Sequence, residues 1–125
     1  MTALEIVYLL NVTLLLLHEI ESAYVKEWEI LHLPGKITGF LLLHVPILLL
    51  FFWGAVELGN GTTAGEIIAL IAGAEGLLPF FVHKLLVKRK GYFESTASNV
   101  IIYLNLLTGL ASAILAVLAL IGKIS

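Results

Sequence analysis

The sequence predicts an all-α integral membrane protein: a four-helix bundle with both termini on the outer side. Three observations lead there. Of 125 residues, 60% are hydrophobic and only 13% charged; the mean hydropathy is +1.05; and the apolar residues fall into four long runs separated by turn-forming or basic stretches. Soluble globular domains do not carry that balance. In hydrocarbon, backbone groups must be satisfied within helices or closed barrels, and these runs lack the period-two alternation of barrel strands.

A helix needs roughly 20 apolar residues to cross the hydrocarbon, and the runs at about 3–25, 37–56, 63–87 and 98–122 approach that length. The first run has no basic leader or small-residue cleavage site and continues into His18-Glu19-Ile20-Glu21, so it reads as a retained helix rather than a removable signal. Pro34-Gly35 separates the first and second runs. Gly59-Asn60-Gly61 separates the second and third; Asn60-Gly61-Thr62 matches a glycosylation sequon but reads better as a turn. Thr63 and Glu66 are spaced as a capping box opening the third helix. Lys88-Arg89-Lys90-Gly91 ends that helix, and Ser95, Thr96 and Ser98 offer caps for the fourth. With 1–125 forming one transmembrane domain, no separate soluble unit is expected.

Six of the seven basic residues (Lys26, Lys36, Lys84, Lys88, Arg89, Lys90) fall in or beside two of the three connections. The positive-inside rule makes that face cytoplasmic and places the termini outside. A net charge of −2 gives no reason to expect nucleic acid. The absence of cysteine excludes disulfides and thiolate chemistry.

Ionisable groups within a span are costly and demand partners or a wet cavity. His18, His44, His83 and Asn105 lie about five to seven residues from the cytoplasmic ends of their helices, so a rise of 1.5 Å per residue sets them at one level. Helical spacing aligns Asn11, His18 and Glu21 or Ser22 on the first helix, and Ser98, Asn105, Thr108 and Ser112 on the fourth. Glu75 lies among Ala72, Gly73, Ala74 and Gly76 at the centre of the third helix. Pro79, lacking an amide hydrogen, frees the Glu75 carbonyl and is expected to kink the helix between Glu75 and His83.

Histidines with carboxylates suit a divalent metal such as zinc, iron or manganese. The expected ligands are His18, Glu21, His44 and His83, with Glu75 as general base and Asn11, Asn105, Ser112 and Glu19 lining the pocket. The segment from Lys26 to His32 reads as a solvated interfacial extension.

The run from His18 to Trp28 (HEIESAYVKEW), with Leu43-His44-Val45-Pro46 and Val82-His83-Lys84, resembles an uncharacterised family of small prokaryotic four-helix membrane proteins. That family carries His-Glu-x-Asp-Ala, Glu-Trp and Leu-His-x-Pro motifs; here Glu21 replaces the Asp. The chain is also similar to the HXXEE-motif membrane proteins, although Ser22 stands where they have a second Glu. The resemblance implies the fold and a His/acid site but no activity.

Four functions follow as expectations. The first is a cell-membrane metalloprotein whose metal activates water or dioxygen against a lipidic substrate entering from membrane lipid. The others are a haem b protein with histidine axial ligands, a proton- or ion-coupled transporter or channel working as a homodimer, and an accessory subunit whose polar groups join helices.

Overall fold

The computed structural model describes residues 1–30, 32–82 and 95–123. Among these the chain is helical, with four helices long and apolar enough to cross a membrane: α1 (Ala3–Tyr24), α3 (Lys36–Gly59), α4 (Thr63–Phe80) and α5 (Thr96–Leu120). One short helix, α2 (Glu27–Ile30), lies between α1 and α3.

Local chemistry sets the helix ends. Thr2 and Glu5 form a capping box at the start of α1, each side chain accepting from the other's backbone amide. The cap of α4 is Thr62, one residue earlier than the spacing predicted; its hydroxyl accepts from Gly65 N at 3.2 Å and donates to the Glu57 carboxylate at 2.7 Å. Thr62 wins because it alone has extended backbone geometry next to the hairpin turn. Ser95 caps α5, accepting from Ser98 N at 3.0 Å. The far ends of α3 and α5 close with the same Schellman pattern. Gly61 N donates to Leu58 O and Thr62 N to Glu57 O; Gly122 N donates to Ala119 O and Lys123 N to Leu118 O. Gly61 at φ 70° supplies the left-handed residue that the tight α3–α4 hairpin requires.

α4 and α5 form the most intimate pair, and α1 packs across both. Glycines create that closeness: a methyl on Gly73 would stand 2.8 Å from Gly109 O, and one on Gly109 would stand 2.7 Å from Gly73 O. Without a hydrophobic force between helices in lipid, small residues let backbones meet and gain dispersion and hydrogen bonding. α3 leans on α4 and α1 along Phe40, Phe51, Gly54 and Leu58, leaving Leu41, Leu42, Leu49, Phe52, Trp53 and Val56 exposed toward the surroundings of the bundle.

Buried polar side chains tie the helices together. Asn11 donates to Ala72 O at 2.8 Å and accepts from Thr108 Oγ1 at 3.0 Å, joining α1, α4 and α5 through one amide. Ser112 donates to Ala69 O at 3.0 Å. Tyr8 donates to Phe51 O at 2.5 Å, linking α1 to α3. Beyond Phe80, residues 81 and 82 widen into a π turn two positions after Pro79.

Candidate functional site

Three side chains build the site's centre. On α3, Phe40 and His44 are one helical turn apart and share a face; their ring centroids are 4.2 Å apart. The turn also lets His44 Nδ1 donate to the Phe40 carbonyl at 2.7 Å, since a carbonyl only accepts. With Nδ1 committed, Nε2 faces α1, where Glu19 Oε2 lies 2.5 Å away. One proton occupies that short gap. Whether it rests on nitrogen or oxygen, the pair holds two protons in total and is neutral overall.

A cavity of about 260 Å³ adjoins the pair. Its polar walls are His18, Glu19, Glu27, His44 and Glu75, and its apolar walls include Leu15, Phe40, Leu43, Leu78 and Pro79. Glu75 reaches it from the middle of α4, and its carboxylate makes no hydrogen bond or ion pair to any described residue. Pro79, on the same wall, cannot donate the usual helical hydrogen bond to the Glu75 carbonyl.

The segment after α1 closes one end of this hollow. Lys26 adopts φ 57°, turning the chain back so that Glu27 and Trp28 are 9% and 7% exposed. Trp28 packs on Phe40 with centroids 5.6 Å apart, and Leu33 joins the wall beyond it. This part of the expected interfacial extension therefore turns inward, its indole packed on Phe40 and Glu27 on the cavity wall. Lys26, Glu29 and His32 remain exposed.

The other expected site residues take varied places. His18 is buried, lines the cavity and sits 3.4 Å from the Ser22 hydroxyl through Nε2. Glu21 turns away toward α5, where it accepts from the Ser98 hydroxyl. That position at a helix N-terminus suits a carboxylate, because unsatisfied amides there carry partial positive charge. Successive residues are about 100° apart on a helix, so Glu19 and Glu21 point about 200° apart, one to α3 and one to α5. Asn11 and Ser112 serve the interhelical bonds above and do not line the cavity. Asn105 is fully buried, and its amide has no hydrogen-bond partner among the described residues. His83 lies outside the described residues. Among the described residues, no three His, Cys, Asp or Glu side chains are grouped so as to hold a metal ion.

Phe40 is a member of the site that the sequence did not single out, and Glu27 figured there only in the Glu-Trp motif and the interfacial extension. Phe40 had a legible signal, its i, i+4 relation to His44; the Glu-Trp motif marked Glu27 but not its place in the cavity, where a backbone reversal at Lys26 brings it.

The model of a family described as a family of unknown function (DUF6713) matches residues 4–119. No curated protein and no solved structure matches the chain.

Proposed function

The chain belongs to that family of unknown function, and we propose that it is a multi-pass protein of the cell membrane that handles protons, or a cation exchanged for protons, in a His/Glu cavity within its bundle. The observation that supports this reading is the proton-sharing contact between His44 Nε2 and Glu19 Oε2, with Glu75 on the wall of the same cavity. A pair that is neutral in either proton position can pass a proton between helices without an uncompensated charge in a low-dielectric setting. Glu75, deeper along α4, supplies a next acceptor. The cavity lies at the end of the bundle bearing Lys26 and Lys36, and that charge bias supports a cytoplasmic orientation for it, with both termini outside, as part of the proposal.

Proteoliposomes containing a trapped pH indicator test the proposal. Under an imposed potassium diffusion potential, the protein should carry a proton current that Glu19→Gln and Glu75→Gln each reduce at least tenfold. Wild-type vesicles no more permeable than protein-free vesicles would refute it.

A metal site is the second reading, favoured by the convergence of His18, Glu19, His44 and Glu75 on one cavity. It requires the described side chains to close further, with His83 as an added ligand. Elemental analysis of protein purified without a metal-affinity tag tests this. Stoichiometric zinc, iron or manganese that is lost in His44→Ala would support it; metal-free folded protein would remove it, along with a hydrolase or oxygenase built on Glu75.

A further inference from the structure

The cavity is sharply unbalanced in hydrogen-bonding character. Its described walls present three carboxylates, one of them (Glu19) paired with His44 and the others from Glu27 and Glu75, the imidazoles of His18 and His44, and no lysine, arginine, amide or hydroxyl side chain. Ionised carboxylates only accept. Both nitrogens of His44 are engaged, one by the Phe40 carbonyl and one by Glu19. One acceptor on α4 is uncommitted: the Glu75 carboxylate, with no hydrogen bond or ion pair to a described residue.

A ligand complementary to these walls brings positive charge and N–H donors together. An anion would meet the Glu27 and Glu75 carboxylates, and a neutral alcohol would bring one donor and no charge. A bare divalent metal needs several donor side chains at one point, a grouping not present among the described residues. Size and polarity add a further requirement. A volume of about 260 Å³ corresponds to roughly eight or nine waters at about 30 Å³ each, more than an ammonium head occupies. Leu15, Leu43, Leu78 and Val82 form an apolar wall for a carbon chain.

We infer that the cavity binds a protonated alkylamine, its ammonium donating to the Glu75 carboxylate and its hydrocarbon lying along the leucine wall. The inference rests on the cavity being a cation-handling site and names the cation's class.

Isothermal titration of the full-length protein in detergent, with four probes sharing one chain length, tests it. Hexylammonium should bind saturably and at least tenfold more tightly than hexanol or hexanoate. Hexyltrimethylammonium, which keeps the charge but has no N–H, should bind several-fold more weakly than hexylammonium. Glu75→Gln should weaken hexylammonium at least tenfold while circular dichroism stays unchanged, and Glu21→Gln, outside the cavity, controls for general loss of charge. Equal binding of hexanol, equal binding of hexyltrimethylammonium, or displacement of hexylammonium by one equivalent of zinc would overturn the assignment, as would no binding to folded protein. Amine-free proton current from the same preparation separates the two claims. Current without amine binding rejects only the amine; amine binding without current rejects proton handling and leaves a binding site.

Discussion

His44 on α3 and Glu19 on α1 meet at 2.5 Å although 25 residues separate them in the chain, and the Phe40 carbonyl fixes which imidazole nitrogen faces the carboxylate. The contact joins two helices that otherwise touch sparingly, so it has structural as well as chemical consequences. A hydrogen bond involving charged groups contributes about 1.5–3 kcal/mol. His44→Ala and Glu19→Ala should each lower stability by an amount in that range, and the double variant should cost less than the sum of the two. A double-mutant cycle on thermal or denaturant unfolding in detergent measures the coupling; additive losses would mean that the two side chains do not interact.

Glu21 and Glu19 should separate by function. Glu21 accepts from Ser98 at the start of α5, so Glu21→Gln should reduce stability by about 0.3–1 kcal/mol and leave proton current within twofold of wild type. Glu19→Gln should suppress the current. Equal loss of current in the two variants would place both carboxylates on one pathway.

The buried amides at Asn11 and Asn105 should respond in opposite ways. Asn11 makes two interhelical hydrogen bonds, each worth about 0.6 kcal/mol within a bundle in lipid. Asn11→Leu should therefore destabilise by about 1–2 kcal/mol. Asn105 has no described partner for either amide atom, so Asn105→Leu should leave stability unchanged or raise it, because an unsatisfied buried polar group is removed. Unfolding midpoints of the two variants in one detergent decide the point.

Glycine contacts make a graded prediction. A methyl on Gly76 would stand 2.5 Å from Asn11 Oδ1 and 3.0 Å from Gly109 Cα, whereas one on Gly59 meets nothing within 4 Å. Gly76→Ala should cost about 1–3 kcal/mol through overpacking. Gly59→Ala should be neutral, or stabilise by up to about 1 kcal/mol through helix propensity. Comparable losses at both positions would refute close α4–α5 packing as the cause.

Much of the molecule was legible along the chain. Four apolar runs determined four helices, because hydrocarbon-compatible backbone has few alternatives. Ser95 and Gly61 marked a helix start and stop through backbone chemistry that acts within a few residues. Helical spacing also showed that Asn11 and His18 share a buried face of α1. What spacing could not convey was direction toward a particular neighbour. α1 packs against α3 on one side and α5 on another, so two carboxylates two residues apart reach different partners, and Glu19 rather than Glu21 meets His44. Glu27 enters the cavity wall, and Trp28 packs on Phe40, because the chain reverses at Lys26, a left-handed backbone at a non-glycine residue that nothing local requires. The sequence by itself thus determined which residues form helices and which faces are polar, since both follow from near-neighbour geometry and the solvent. The tertiary structure alone decided which polar groups share a proton and which merely join helices, because that depends on how helices distant in sequence are rotated about their axes.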